Sequence, residues 1–176
     1  MEREAVAAAP QTTGLARFIF GKNPAWTIAR ILIFTLLALV LTKFVFLPIR
    51  VTGDSMYPTF HNGQIKFVNR LAYRHHKPAR GDIVAVRYAG PKAVLLKRVI
   101  GLPGETIQVI DGYMYINNKK LDEPYAYGRI SGPDAKGIGG SDPHKLGFNQ
   151  YFVLGDNRPI SEWYIKYAHE ILGKVF

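Results

Sequence analysis

One stretch of the chain is apolar almost without a break, and most of the sequence C-terminal to it alternates. From Ile31 to Ile49 the sequence reads ILIFTLLALVLTKFVFLPI, nineteen residues whose only charge is Lys43. A helix of ~20 apolar residues crosses the ~30 Å hydrocarbon core of a bilayer, so the pattern predicts one transmembrane helix. Lys43 lies near enough to the end for its side chain to snorkel outward, and Pro48 ends the helix or begins the turn out of it.

Beyond Arg50 the apolar positions come in short runs bounded by turn residues. Gln64 to Val68 and Asp82 to Tyr88 are rich in β-branched residues and predict strands. Thr106 to Ile110 and Tyr113 to Ile116 flank Asp111-Gly112, a pair that suits the positive φ values of a type I′ hairpin. Asn117-Asn118 marks the next turn before Lys119 to Leu121, and Phe148 to Leu154 reads as a further strand. Trp163 to Leu172 has Ile165, Ala168, Ile171 and Leu172 at helical spacing and predicts a short helix. Gly128 to Gly147 holds six glycines and two prolines in twenty residues, which predicts a mobile loop, either bordering a cleft or a plain surface insertion. The expected fold class is mainly β: an antiparallel-sheet domain behind one N-terminal transmembrane helix. Residues 1–24 read as a tail, 25–49 as the anchor and 50–176 as the domain.

Charge orients the anchor and suggests a surface partner. The chain of 176 residues has a formal charge of +10. Arg17, Lys22 and Arg30 stand before the span, and short basic flanks stay cytoplasmic, which predicts an extracytoplasmic domain. The apolar core begins thirty residues in and leaves through FLPIRVTGD. It has no small-residue cleavage pattern, so a retained anchor is expected rather than a removed signal peptide. Lys66 to Arg98 carries nine Lys/Arg and one acid, Asp82. That run suits anionic lipid headgroups or a solvated basic face; nucleic acid is not indicated, because no binding motif accompanies the charge. The absence of cysteine excludes disulfides, thiolate metal sites and cysteine catalysis. The five histidines show no metal-ligand spacing with acids.

The candidate chemistry lies at Ser55, in the run GDSMYPT, and at Lys97, in AVLLKRVIG. Gly53, Asp54 and Ser55 read as a turn that exposes a hydroxyl and leaves an amide free for an oxyanion, although serine also occupies turns for purely local hydrogen bonds. Period-two alternation sets Lys97 on one strand face with Leu95 and Val99, and Arg98 on the other with Leu96 and Ile100. A lysine desolvated on an apolar face loses its proton more easily and can act as a base. An edge-strand lysine pointing into water is the alternative.

GDSMYPT, then KRVIGLPGE (Lys97 to Glu105), then GDNRP (Gly155 to Pro159) resemble the successive boxes of type I signal peptidases. DGYMYINNKKLDEPY (Asp111 to Tyr125) resembles that family's strand region, so the likeness covers roughly Phe34 to Asn157 and, more weakly, the ILGKVF end. The resemblance implies a membrane-bound serine endopeptidase of the plasma membrane, single-pass, with a Ser/Lys dyad and a mostly β catalytic domain. Its implied partners are secretory preproteins, cut after small residues, and the lipid bilayer; it implies no cofactor and no metal. Carried over by motif, Ser55 is the nucleophile, and Lys97 is the general base that later protonates the leaving amine. The Ser55 amide lines the oxyanion hole. Ser161 aligns with a serine that orients the lysine, with Asp156 and Arg158 as local support. Gly53 stands where some relatives have a hydroxyl residue that gives a second oxyanion donor, so that donor is unassigned. Met56 and Tyr57 follow the nucleophile and are expected to touch membrane or substrate, with core packing as the equal alternative.

The chain departs from the family after Ser161. The family continues S-x-D-S-R, whereas this chain reads Ser161, Glu162, Trp163, Tyr164, Ile165. The departure keeps open a membrane-tethered peptide-binding relative with weak or no turnover, or a peptidase specialised for one pilin or conjugation substrate. A GDS-type esterase needs a downstream Asp and His that Asp142-Pro143-His144 does not supply at the right spacing, and no G-x-S-x-G elbow is present.

Overall fold

The computed structural model describes residues 24–88, 93–131 and 142–176. Two units are distinguished, divided between Leu41 and Thr42. The first contributes helix α1 (Pro24–Val40), whose large apolar side chains, Trp26 and Ile31 to Leu39 among them, are exposed. With the π-helical turn Leu41–Val45 the helical span Ala25–Val45 is 21 residues long and apolar enough to cross a bilayer. A helix can do so because its backbone groups are satisfied within the segment.

The apolar run outlasts the helix. Phe46–Arg50 is strand β1, so the last residues of the expected anchor helix belong to a sheet. Pro48 sits opposite Phe67 on this edge strand, where the missing amide need not face a partner.

The second unit holds two antiparallel sheets. The larger is built from β1, β2 (Ile65–Asn69), β3 (Ile83–Arg87), β4 (Val94–Gly101), β9 (Gln150–Leu154), β10 (Tyr164–Tyr167) and β11 (Ile171–Val175), in the order β1-β2-β11-β3-β4-β9-β10. The smaller is built from β5 (Thr106–Ile110), β6 (Tyr113–Ile116), β7 (Lys119–Lys120) and β8 (His144–Lys145), in the order β7-β6-β5-β8. The β5–β6 hairpin turns on Asp111 and Gly112 at φ 52° and 77°, as expected for this pair.

Strands β4 and β9 are buried on both faces, which explains their near-continuous apolar runs. One face joins Val84, Val86, Val99, Tyr151 and Val153. The opposite face meets the smaller sheet through Ile100, Phe152, Leu154, Ile107 and Met114, and packs Ala85 with Val51, Met56, Phe60 and Val68.

The expected helix at Trp163 to Leu172 does not form. Strand β10, a 3-10 turn (Ala168–Glu170) and β11 occupy those residues. The exposed edge of β9 takes Tyr164–Tyr167 as its partner, and β11 inserts between β2 and β3. Long-range pairing here overrides a four-residue coincidence of helical spacing. Residues 1–23 of the expected tail lie outside the described residues, as do positions 132–141 of the glycine-rich loop, while Pro24 begins helix α1. Within the described part of that loop, Ile130 and Leu146 are buried and β8 pairs with β5.

Candidate active site

Lys97 and Arg98 leave the middle of β4 on opposite faces, and both are buried, at 3% and 9% exposure. Lys97 lies opposite Val84 in the β3 register, on the face predicted from alternation. Its Nζ donates to Ser161 Oγ at 2.8 Å. Ser161 is itself buried; its Oγ accepts the Gly155 amide at 2.8 Å and donates to the Glu162 carbonyl at 3.2 Å. A hydroxyl has one proton and two acceptor lone pairs. With the proton on the Glu162 carbonyl, Ser161 offers Lys97 only an acceptor, which holds the amine by a neutral contact.

The Ser55 turn docks on the GDNR segment that also carries Ser161. The Asn157 amide donates to the Ser55 carbonyl and Asn157 Nδ2 donates to the Asp54 carbonyl, each at 3.0 Å. Gly155 makes this approach possible. A Cβ there would stand 2.2 Å from the Ser55 carbonyl oxygen and 2.3 Å from Ser161 Oγ, so any side chain would push the two apart. Gly53 has φ +88° with open space where a Cβ would be, so backbone conformation rather than crowding calls for glycine. The half-buried Ser55, the buried Lys97 and Ser161 thus gather around one turn.

The other face of β4 is a network of charges. Arg98 meets Asp156, which is fully buried, in a two-pronged pair whose Nε–Oδ1 bond is 2.8 Å, and Nη1 donates to the Gly81 carbonyl at 2.8 Å. Thr59 also donates to Asp156. The Arg98 guanidinium lies 4.0 Å from the Tyr125 ring centre. Burial alone lowers the Arg98 pKa, and Asp156 more than reverses this, so the group is held more firmly charged than usual. Arg158 forms a second paired fork with Glu123, which accepts from Tyr125 as well. Arg98, Thr59, Tyr125 and Glu123 were not visible as site residues in sequence. The available signal was Arg98 on an apolar strand face, since a buried guanidinium requires a carboxylate, but nothing in the sequence identifies which one.

Met56 is 1% exposed and packs in the core with Val51, Phe60 and Ala85, the packing alternative. Tyr57 faces outward, its ring edge-on to both His61 and Tyr127 at 5.4 Å. Among the described residues no group of three His, Asp or Glu side chains is arranged to hold a metal ion.

The Ser55 turn and the buried Lys97 amine are both bonded to residues 155–161, and a hydroxyl paired with a neutral amine is a combination suited to acyl transfer. Residues 25–162 match the family model of signal peptidases, peptidase S26. Signal peptidase I T of Bacillus subtilis (strain 168) is 43% identical over 131 residues, covering 73% of this chain and 68% of that protein. Signal peptidase I S of the same organism is 42% identical over 132 residues, covering 73% and 71%. A crystal structure of a signal peptidase I from Enterococcus faecalis V583 is 31% identical and covers 56% of this chain and 96% of its own, at a TM-score of 0.42. The chain belongs to the signal peptidase family, peptidase S26, and is a hydrolase, a serine endopeptidase of the signal peptidase I kind.

Proposed function

We propose that the protein removes N-terminal signal peptides from exported preproteins, with Ser55 as nucleophile and Lys97 as general base. The observation that carries this reading is the buried Lys97 amine, bonded to neutral Ser161 Oγ on the turn that also receives the Ser55 loop. Burial disfavours an ammonium, and a neutral amine can take the Ser55 proton. Ser55 Oγ then attacks the scissile carbonyl carbon, and the Ser55 amide steadies the oxyanion. Lys97 returns that proton to the leaving amine as the C–N bond breaks, which leaves a Ser55 ester. Water attacks the ester with Lys97 again taking a proton, and collapse releases the signal peptide acid and restores the Ser55 hydroxyl.

Small residues before the cut fit shallow apolar subsites, which reject a larger side chain by clash. Tyr57, exposed beside the nucleophile, is the substrate-facing neighbour in this reading, while Met56 supports the turn from within. Residues 1–24 form the cytoplasmic tail and residues 50–176 work on the extracytoplasmic side, in keeping with the basic N-terminal flank. Anionic lipid is the membrane partner. Arg80 and Arg98 of the basic run are engaged with Glu105 and Asp156, whereas Arg74, His75, His76 and Lys77 are exposed together.

The test is cleavage of a preprotein with an Ala-x-Ala site by the full chain in detergent, beside Ser55→Ala and Lys97→Ala. Cleavage by the parent and by neither variant is the expected result. Cleavage surviving in either variant would overturn the dyad, and a parent inert on several preproteins would favour a peptide-binding module.

A further inference from the structure

The segment after Ser161, where the chain leaves the family pattern, becomes β10 and divides its side chains between the two faces of the sheet. Trp163 and Ile165 pack into the core beneath the smaller sheet, Trp163 stacking on Phe152 at 5.8 Å. Tyr164 points the other way, toward Lys97. The Lys97 Nζ lies 5.7 Å from the centre of the Tyr164 ring, and Tyr88 meets that ring edge-on at 5.4 Å. The ring packs against the core of Val84, Val99 and Val153, and its hydroxyl donates to Glu162. We propose that Tyr164 is a positioning residue for Lys97, its ring closing the solvent side of the amine and holding Nζ against Ser161. The proposal rests on the reading of Lys97 as the base.

Two effects of the ring oppose each other. Its face attracts an ammonium, but at 5.7 Å the contact is close to the ~6 Å limit of that attraction. Its cover excludes water, and desolvation of a lysine lowers its pKa by up to ~3–5 pH units at full burial. Exclusion of water therefore dominates, and the ring favours the neutral amine.

The charges around this face are already paired. Asp82 is bonded to Lys174 and Tyr73, and Lys166 to Glu170. Glu162 holds Tyr164, while Asp156 and Arg158 of the GDNR turn hold Arg98 and Glu123. Asp54 is exposed in the Ser55 turn, His169 is exposed in the 3-10 turn, and Tyr151 and Tyr88 are phenols. Burial, then the Glu162 bond, push the Tyr164 phenol well above its ordinary range, so it stays neutral. Removing the ring thus changes the access of water to Lys97 without removing a charge.

The test is the pH profile of kcat/KM for a preprotein, measured on the full chain in detergent for the parent, Tyr164→Ala, Tyr164→Thr, Tyr164→Leu and Tyr164→Phe. Tyr164→Thr retains a strand-forming residue and serves if the Ala variant does not fold. Uncovering the amine is expected to move the acid limb to higher pH by about one unit or more in Ala or Thr. Leu, which covers without a π face, keeps the limb at or below the parent's, and Phe behaves as the parent. An unmoved acid limb in Ala and Thr overturns the proposal even where their rates fall, and so does a Leu shift equal to theirs. Lys97→Ala is run alongside: cleavage by that variant removes the base itself, whereas an inert Lys97→Ala with an unmoved Tyr164→Ala profile removes the positioning role alone.

Discussion

Lys97 and Arg98 are adjacent on β4, leave it on opposite faces and are both buried, yet their surroundings treat a cation in contrary ways. Arg98 is met by the carboxylate of Asp156, by the Gly81 carbonyl and by the face of Tyr125. Every one of these groups favours positive charge. Lys97 donates to a neutral hydroxyl with an aromatic ring at its side, on a face of Val84, Val99 and Val153. A carboxylate bonded to that amine would fix it as ammonium, and the amine would lose its use as a base. The GDNR turn serves both neighbours: Asp156 pins the guanidinium, and Gly155, lacking a side chain, lets the Ser55 carbonyl and Ser161 Oγ both approach the turn. One strand thereby separates the charge that holds the domain together from the amine proposed to do chemistry.

Exchanging the two cations breaks the comparison most severely. Lys97→Arg puts a group that does not deprotonate in place of the proposed base, and preprotein cleavage is expected to fall at least about 1000-fold, as when a member of a catalytic set is removed. Arg98→Lys loses the two-pronged geometry but keeps a cation, so cleavage should stay within about tenfold of the parent, with a lower melting temperature. Comparable losses of kcat/KM in both variants would show that the two sites do not differ in kind.

Asp156→Ala tests the structural half alone. It strands the Arg98 guanidinium in the interior, where breaking a buried ion pair costs about 3–5 kcal/mol. Denaturant unfolding in detergent should register most of that loss. An unchanged midpoint would mean that Arg98 finds another partner.

Ser161→Ala tests the neutral half. It removes the acceptor for Lys97 Nζ and for the Gly155 amide, and an unpaired buried group costs about 1–3 kcal/mol. If the transition state loses that much stabilisation, kcat falls by about 5–150-fold with KM nearly unchanged. A rise in KM at constant kcat would instead assign Ser161 to substrate binding.

Much of this division was legible in sequence. Alternation along Leu95 to Ile100 sent Lys97 and Arg98 to opposite faces, because a strand has a strict period of two. Asp111-Gly112 identified its hairpin through its φ values, and those are properties of the residues themselves. What escaped notice depends on partners distant in the chain. Asp156 lies 58 residues from Arg98, and many acids in the sequence could have met that guanidinium. The C-terminal segment misled for the same reason. Ile165, Ala168, Ile171 and Leu172 match a helical stripe by spacing, but the open edges of β9, β2 and β3 capture the backbone as strands. The departure after Ser161 could be read as missing support, and only the alternation of β10 shows that Trp163 and Tyr164 serve different faces.

The smallest expected effect separates the chemistry of Lys97 from the stability of its face. Burial raises the Asp82 carboxyl pKa, but bonds from Lys174, the Ala79 amide and Tyr73 outweigh burial and hold it below its ordinary range. A carboxyl with a depressed folded pKa adds stability that is fully present above the unfolded value of ~3.9 and lost as pH falls through the lower folded value. Lys174 is 45% exposed, so solvent screening limits the contribution to less than about 1 kcal/mol. Unfolding midpoints of the parent should therefore decline in that acid window, and Asp82→Asn should remove a small part of the decline, Glu170, whose carboxyl is also held low, supplying another part. Loss of cleavage through protonation of Lys97 should begin at distinctly higher pH, while the fold is intact. Activity and stability falling together in one window, with Asp82→Asn shifting both, would trace the acid sensitivity to the fold and not to the amine.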